Sequence, residues 1–259
     1  MDNLMDMEGW LRKEIFMEAP YIEEILPSQP GEFIVIAGKP GIGKSTLAMQ
    51  MAFSLATGIP FLSRFEVEKV QTGYVCMEGS KENIKNRIGK IIPNFPSVGK
   101  NLLFNYYQPL NLFRKYEYLT SISNGCKVLT FDNLKQLASG RYLDCSYARD
   151  WTERFHDLLC ACHAVGILTI HVKKQDGRYL LDPGDLDSVK GSEYTEAATT
   201  VLLLERQRQQ RKQGSAGFDK VDPSKVNLYF AKTRIATREI EMLPLRLDRN
   251  KAMFSVRLD

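Results

Sequence analysis

One stretch near the start of the chain constrains its fold more than any other. An apolar, branched run at 33–37 meets a turn with glycines, then Lys-Ser-Thr, and then an apolar periodicity of helical type. Gly38, Gly43, Lys44 and Ser45 stand in the register G-x-x-x-x-G-K-[ST]. A strand that feeds such a loop builds a nest of backbone N–H groups, and the N-terminus of the next helix adds partial positive charge. The stretch therefore predicts a phosphate-binding loop between a strand and a helix.

The side chains of this loop match the needs of a nucleoside triphosphate with Mg²⁺. Lys44 can reach the β- and γ-phosphates, and the hydroxyl of Ser45 can bind the metal. A glycine-containing turn that binds nothing is the alternative, but such a turn has no need for Lys-Ser at this offset. We expect the nucleotide to contact the whole loop: Gly38, Lys39, Pro40, Gly41, Ile42, Gly43, Lys44, Ser45 and Thr46.

The bulk composition excludes several classes of protein. The 259 residues are 44% hydrophobic and 25% charged, which is typical of a globular domain large enough to form its own core. The net charge of +4 permits an anionic partner without indicating one. The five cysteines lack the spacing of a disulfide framework, and the N-terminus lacks the features of a secretory signal. No apolar run reaches the roughly 18 residues of a membrane span, so we expect a cytoplasmic protein without a membrane partner.

Strands and helices alternate over the first two thirds of the chain. Residues 1–30 read as an amphipathic N-terminal helix followed by a linker, and 31–259 as one large domain. Three closing strands, at 226–231, 239–245 and 251–256, have no helices between them. Chain-connection rules therefore predict an α/β fold with a doubly wound, mainly parallel sheet and an antiparallel C-terminal edge.

Three further predictions concern the connections between these elements. The apolar pattern predicts a helix at 112–121. The polar segments at 173–192 and 205–218 are predicted to be loops. Loops this long in a compact domain are usually functional or mobile.

Four polar side chains fall at or just after the carboxyl ends of predicted strands: Lys44, Glu78, Asp132 and His171. In a doubly wound sheet, ligands bind at this edge. Asp132 follows a buried strand directly, and we expect its carboxylate to hold Mg²⁺ opposite Ser45. The alternative for Asp132 is a helix N-cap or a loop aspartate.

Glu78 and His171 each have two possible roles. The Glu78 carboxylate could orient or deprotonate the water that attacks the γ-phosphate, or it could be an exposed loop residue. His171 could contact the γ-phosphate and relay its loss to the following loop. A histidine with a purely structural hydrogen bond is the alternative for that position.

Two cations, Lys232 and Arg234, follow a late apolar strand. Being two residues apart on a strand, they project to the same face. They could neutralise phosphate charge, as an arginine finger does, but in a neighbour's site rather than their own. The alternative is an exposed charged edge that protects against aggregation.

These segments together resemble the RecA-type ATPases. The loop at 38–46, Met77-Glu78, Leu129-Thr130-Phe131-Asp132, Thr169-Ile170-His171 and Ala231-Lys232-Thr233-Arg234 occur in the order seen in that class. Within the class, the chain is most similar to the RepA-like hexameric replicative helicases, which share this layout over nearly the whole chain. The resemblance implies a RecA-type ATPase domain at 31–259 that uses ATP and Mg²⁺.

The resemblance also implies a role for each matching side chain. Lys44 and Ser45 would hold phosphate and Mg²⁺, and Asp132 would be the second metal-site carboxylate. Glu78 would be the catalytic base, and His171 would sense the γ-phosphate. Lys232 and Arg234 would act in trans on the nucleotide of the adjacent subunit.

The resemblance further implies a ring of six subunits that would enclose single-stranded DNA. The loops at 135–144 and 173–192 would face the central channel. Their cations would supply the charge that tracking of the DNA backbone needs: Lys135, Arg141, Lys173, Lys174, Arg178 and Lys190. Their aromatic residues are Tyr142 and Tyr179.

The sequence departs from the RepA-like pattern at two positions. Val172 follows His171 where those proteins commonly have a second histidine, and Ile235 stands where a glycine is usual after the late Lys-x-Arg. The sequence thus leaves three functions open. They are a ring motor on single-stranded DNA, a recombination or repair ATPase that coats DNA, and a regulator or loader switched by ATP binding. A small-molecule kinase is disfavoured because no lid insert is visible.

Overall fold

A computed structural model of the chain describes residues 7, 19–106, 111–123, 125–138, 144–172, 174–175, 178–179, 192–207, 222–236 and 240–257. Eleven strands lie in these ranges: β1 (Phe33–Gly38), β2 (Thr72–Cys76), β3 (Leu102–Tyr106), β4 (Val128–Asp132), β5 (Val165–His171), β6 (Lys174–Gln175), β7 (Arg178–Tyr179), β8 (Thr200–Arg206), β9 (Lys225–Thr233), β10 (Met242–Asp248) and β11 (Met253–Val256). Nine of these strands form one sheet in the order β11-β10-β9-β8-β1-β5-β4-β2-β3, and β6 pairs with β7.

Six α-helices accompany these strands in the described ranges: α1 (Lys44–Thr57), α2 (Lys81–Ile91), α3 (Tyr116–Ser123), α4 (Leu134–Leu137), α5 (Cys145–Ala161) and α6 (Ser192–Ala197). Helix α1 ends at Gly58, which adopts the left-handed conformation (φ +77°) that favours glycine. The side chains of Ser80 and Asp144 accept backbone hydrogen bonds and cap the N-termini of α2 and α5. Local capping chemistry therefore sets three of these helix ends.

The sheet confirms the fold class predicted from the sequence. Strand β1 pairs in parallel with β5 on one side and with β8 on the other. Beyond β5 lie β4, β2 and β3, all parallel to it. Beyond β8 lie β9, β10 and β11, and each of these strands is antiparallel to its neighbour. The carboxyl ends of β1, β2, β4 and β5 thus meet at one edge of the sheet, which we call the phosphate edge.

Each face of the sheet has its own hydrophobic core. The first face packs against α1 and α2, with Ile34, Ile36 and Leu47 among its fully buried side chains. The second face packs against α3, α5 and α6, with Trp151 and Phe155 fully buried and stacked on each other. Strand β1 is buried along all six residues because it supplies side chains to both cores.

Several connections differ from the sequence predictions. The predicted helix at 112–121 begins later, at Tyr116, because Asn111 makes a turn by accepting a hydrogen bond from the N–H of Arg114. The predicted loop at 173–192 contains the short β6–β7 pair, and α6 begins at its last residue. Glu205, placed in a loop by the sequence, is a buried residue of β8.

The N-terminal linker is part of the first core. Ile22, Ile25 and Leu26 are fully buried there, and Ile22 forms a β-bridge with Val67. The predicted N-terminal helix lies outside the described residues, apart from Met7. The domain boundary at residues 30 and 31 therefore stays a prediction.

No helix among the described residues is both long and apolar enough to cross a membrane. All five cysteines are free thiols. Burial raises the pKa of Cys76 and of Cys126 to about 11, so both thiols stay protonated.

The three C-terminal strands β9, β10 and β11, which we call the antiparallel wing, fold over helix α1. Gln50, buried on α1, donates its side-chain N–H to the carbonyl of Phe254 (3.0 Å) and accepts from the N–H of Phe254 (2.8 Å). The Phe254 ring packs against the phosphate loop, since a Cβ placed on Gly43 would lie 2.6 Å from its Cζ. A single amide side chain thus fastens the last strand to the helix that follows the loop.

Replacing Gln50 by Leu should lower the free energy of unfolding by about 2–4 kcal/mol, since the buried N–H and C=O of Phe254 would both lose their partner. Urea denaturation followed by circular dichroism measures this change. Gln71→Leu, the same substitution at an exposed position, should cost less than about 0.5 kcal/mol. Equal effects of the two substitutions would contradict the role of the Gln50–Phe254 pair.

Candidate nucleotide site

The phosphate loop connects the end of β1 to the start of α1. Gly41 and Gly43 adopt left-handed backbone conformations (φ +71° and +109°), which turn successive N–H groups toward one side. Gly43 is the N-cap of α1 and has no side chain to satisfy the first helical N–H groups. These N–H groups therefore remain available to an anion, as the sequence predicts.

The Lys44 side chain is buried and folds back over this loop. Its Nζ donates to the carbonyl oxygens of Gly38 (3.0 Å) and Lys39 (2.9 Å), and lies 3.1 Å from Nδ1 of His171. Burial lowers the pKa of Lys44 from 10.5 to about 8, and the nearby carboxylates of Asp132 and Glu78 oppose that shift. A desolvated ammonium in this place would gain strongly from an incoming phosphate.

Asp132 ends β4 and is buried beside the loop. Its Oδ1 accepts a hydrogen bond from the hydroxyl of Thr169 (2.7 Å), and its Oδ2 accepts one from the hydroxyl of Tyr74 (3.0 Å). Asp132 caps no helix, because the following residue, Asn133, is the N-cap of α4. Two hydroxyl donors therefore hold a buried carboxylate near the first turn of α1.

Glu78 lies just beyond β2 on the same edge and is exposed. The side-chain amide of Asn133 donates a hydrogen bond to its Oε2. The carbonyl oxygen of the same amide accepts from the N–H of Gln136. Asn133 thereby orients Glu78 while it caps a helix, a function that sequence reasoning missed because an asparagine after a strand looks like an ordinary turn residue.

His171 is the last residue of β5 and pairs in register with Gly38 of β1. This register, together with the contact to Lys44, brings its imidazole next to the start of the phosphate loop. The structure thus brings Lys44, Glu78, Asp132 and His171 together at the phosphate edge.

The donor set fits a triphosphate with Mg²⁺. Mg²⁺ takes oxygen ligands and usually keeps several waters, so one carboxylate and one hydroxyl suffice beside substrate phosphates. Asp132 and Ser45 supply these groups, and the Tyr74 hydroxyl lies within 3.4 Å of the Ser45 carbonyl oxygen. No cluster of three or more His, Cys, Asp or Glu side chains in the described ranges could hold a metal without such a substrate.

Lys232 and Arg234 lie toward the opposite end of the strands from the phosphate edge. Strand β9 runs antiparallel to β8, and Thr233 is level with Thr200, which in turn pairs with Ile34 near the start of β1. The phosphate loop begins at Gly38, the far end of β1, roughly 13 Å away at about 3.3 Å per residue. These two cations are therefore remote from the phosphate loop of their own chain.

Both cations bind the C-terminal end of α6. Lys232 Nζ donates to the carbonyl oxygens of Thr195 (2.8 Å) and Glu196 (2.6 Å), and Arg234 Nη2 donates to Glu196 O (3.0 Å). Partial burial and then the charge of Arg234 lower the pKa of Lys232. In the single chain these side chains thus satisfy free carbonyls at a helix end.

The predicted DNA-binding loops are only partly within the described residues. Lys135 lies on the short helix α4, just beyond the end of β4. Arg141, Tyr142, Lys173 and Lys190 lie outside the described residues. The backbone of Lys174, Arg178 and Tyr179 belongs to the β6–β7 pair that follows β5.

Comparison with known proteins gives matches at the level of sequence and of fold. An 87-residue segment, 32% of this chain, is 39% identical to the DNA repair protein RadA of Synechocystis sp.. The match spans only 15% of the length of that RadA. The structure aligns with a KaiC-like protein from the archaeon Pyrococcus horikoshii OT3 over 95% of this chain and 99% of that chain, with a TM-score of 0.59 and 16% sequence identity.

The fold of this neighbour matches the mixed sheet described above, mostly parallel with antiparallel C-terminal strands. Residues 5–177 match the family model described as the AAA domain, and this range includes the phosphate loop, Glu78, Asp132 and His171. The chain therefore belongs to the AAA-domain family and is a P-loop protein with the RecA-type fold.

Proposed function

We propose that this chain is an ATP-hydrolysing RecA-type motor whose active site is complete only between two subunits. The observation that carries the proposal is the division of charged groups between two edges of one sheet. Lys44, Glu78, Asp132 and His171 gather at the phosphate edge, whereas Lys232 and Arg234 flank Thr233, roughly 13 Å away along the strands. Cations at the opposite edge serve hydrolysis only if a neighbouring chain presents its nucleotide to them.

Each of these groups has a distinct task in the proposed reaction. The loop N–H groups and Lys44 bind the β- and γ-phosphates, while Ser45 and Asp132 would hold Mg²⁺. When bound, Mg²⁺ would neutralise phosphate charge and align the phosphate oxygens. Glu78, held by Asn133, orients the attacking water and accepts its proton.

The remaining groups respond to the γ-phosphate. His171 lies beside Lys44 and would contact the γ-phosphate, so its position would depend on whether that group is present. Arg234 and Lys232 of the next subunit would stabilise the negative charge that develops on the transferred phosphoryl group. They would have to leave the α6 carbonyls to do so, and a doubly charged γ-phosphate is a far stronger acceptor than a carbonyl.

The more specific proposal is a hexameric ring that moves along single-stranded DNA as a RepA-like replicative helicase. The order of motifs along the chain supports it, as does the position of Lys135 and the β6–β7 pair directly after strands that end at the phosphate edge. Here the ATPase domain would comprise 31–259 and the N-terminal helix and linker 1–30. The free thiols of all five cysteines suit a reducing compartment such as the cytoplasm.

A second candidate is a recombination or repair ATPase that coats DNA without unwinding it. The sequence match to RadA, a protein named for DNA repair, favours this candidate, although it covers a small part of RadA. A third candidate, a regulator or loader switched by ATP binding, uses the same nucleotide site without a motor.

Nucleotide affinity should fall as the pH rises above about 8. Below that pH, Lys44 is charged both before and after binding. Above it, Lys44 of the free protein has lost the proton that a bound phosphate restores. The Kd for the nucleotide should therefore rise by up to about tenfold per pH unit. Titration with a fluorescent ATP analogue between about pH 7.5 and 9.5 measures the change, and calorimetry in two buffers should show proton uptake. Lys44→Arg, charged throughout, should give a flat profile, and a flat wild-type profile would contradict this role.

Arg234→Ala should abolish hydrolysis while leaving ATP binding nearly intact, because the residue acts on a neighbour. Lys44→Ala should abolish both. If the two variants are mixed, about one interface in four joins an intact loop to an intact Arg234, so hydrolysis should return to about a quarter of the wild-type rate.

Arg246→Ala is the matched control, because Arg246 is an exposed arginine on β10 of the same antiparallel wing. It should hydrolyse ATP at the wild-type rate. A mixture of Arg234→Ala and Lys44→Ala that stays inactive under conditions of subunit exchange would argue that Arg234 serves its own chain or only the fold.

Single-stranded DNA should stimulate ATP hydrolysis by the wild type, and the wild type should unwind a forked duplex that Lys44→Ala leaves intact. Closed rings in negative-stain micrographs would accompany this result. Filaments on DNA without unwinding would favour the recombination or repair ATPase. Very slow hydrolysis that Glu78→Gln leaves unchanged would favour the ATP-switched regulator and would contradict a motor.

A further inference from the structure

One buried tyrosine contacts both residues that the proposed function assigns to Mg²⁺. The Tyr74 hydroxyl lies 3.0 Å from Asp132 Oδ2 and 3.4 Å from the carbonyl oxygen of Ser45. Tyr74 belongs to β2, whereas Asp132 ends β4 and Ser45 opens α1. Three separate elements of the metal site therefore meet at a single hydroxyl.

The Tyr74 hydroxyl acts only as a donor toward Asp132. The side chain is 1% exposed, and burial followed by the charge of Asp132 raises its pKa well above the ordinary value. The phenol therefore keeps its proton at any physiological pH. Of its two acceptors the carboxylate is the nearer and the charged one, so the proton points to Asp132.

The ring of Tyr74 is itself held in place. It stacks on the ring of Phe104 with centroids 5.4 Å apart and an interplanar angle of 7°. Phe104 lies on β3, the outermost strand of this side of the sheet, and is partly exposed. Packing on one side and the hydrogen bond to Asp132 at the tip thus leave the phenol little freedom to rotate.

The second carboxylate oxygen of Asp132 has its own donor, the hydroxyl of Thr169. With one hydroxyl on each oxygen, the plane of the carboxylate is determined. Outer hydrogen bonds of this kind orient metal-binding carboxylates and strongly affect metal affinity.

We propose that Tyr74 is a positioning residue for Mg²⁺: its hydroxyl donates to Asp132 beside the first turn of α1 and holds that carboxylate where it and the Ser45 hydroxyl can bind one ion. This inference rests on the proposed function, because it takes Asp132 and Ser45 as the groups that hold the metal. Tyr74 itself touches neither metal nor nucleotide.

Tyr74→Phe tests the inference because it removes the hydroxyl and keeps the stacked ring. Binding of Mn²⁺, as a spectroscopic substitute for Mg²⁺, is measured by electron paramagnetic resonance in the presence of a non-hydrolysable ATP analogue. The Mn²⁺ affinity should fall about tenfold or more. Binding of the same analogue without metal should stay within about twofold of the wild type, since Lys44 and the loop are unchanged.

The matched control is Tyr229→Phe on β9, whose hydroxyl accepts a hydrogen bond from Asn227 alone within the described part of the chain. Its Mn²⁺ affinity should equal that of the wild type. Should Tyr74→Phe fail to fold, Phe104→Leu on the exposed edge strand removes the stacked ring instead. It should weaken Mn²⁺ binding in the same direction by a smaller factor.

Different results would overturn the role of Tyr74 and the proposed ATPase site. Unchanged Mn²⁺ affinity in Tyr74→Phe, with normal binding in the wild type, overturns the role of Tyr74 and leaves the proposed ATPase intact. An equal loss of metal-free nucleotide binding and of Mn²⁺ binding would make Tyr74 a residue of the general fold, which also overturns it. A wild type that binds no Mn²⁺ with the nucleotide analogue overturns both the role of Tyr74 and the proposed ATPase site.

Discussion

The structure of the nucleotide site depends on the burial of one ammonium group. Lys44 lies out of solvent among the carbonyls of its own loop, where desolvation lowers its pKa to about 8. The carboxylates of Asp132 and Glu78 oppose this lowering of the Lys44 pKa. Each carboxylate is held by a donor from another element: Asp132 by Tyr74 and Thr169, and Glu78 by Asn133. The neighbourhood of Lys44 thus determines the chemistry of the whole phosphate edge.

Strand direction distributes the remaining charge. Parallel strands place their carboxyl ends at one edge, so Lys44, Asp132 and His171 come together although they are far apart in sequence. The antiparallel strand β9 runs the other way and carries Lys232 and Arg234 to the opposite edge. An active site that needs both sets of groups must therefore span two chains, and this physical requirement links the proposed hydrolysis to assembly.

Much of the fold and part of the site could be predicted from the sequence because the signals are local. The phosphate loop and the alternation of strands and helices each depend on a few neighbouring residues. The late start of α3 and the helices α4 and α6 were missed, since short helices depend on caps and packing more than on apolar periodicity.

Contacts between distant residues could not be predicted in the same way. Tyr74 and Asp132 are 58 residues apart, and Gln50 and Phe254 are 204 apart. Tyr74 and Gln50 carry polar atoms in otherwise apolar segments, which is the only signal that the sequence offers. Buried polar groups need partners, so such positions point to a long-range hydrogen bond, but the partner's identity emerges only from the sheet order.

The antiparallel wing connects the phosphate edge with the opposite end of the strands. At one end, β9 carries Lys232 and Arg234, whose side chains bind the α6 carbonyls. At the other, Phe254 of β11 packs on Gly43 and is fastened to α1 by Gln50. Because β10 is hydrogen-bonded to β9 on one side and to β11 on the other, these contacts belong to one continuous piece of sheet. The groups proposed to act on a neighbour's nucleotide are therefore built into the same unit that supports the chain's own phosphate loop.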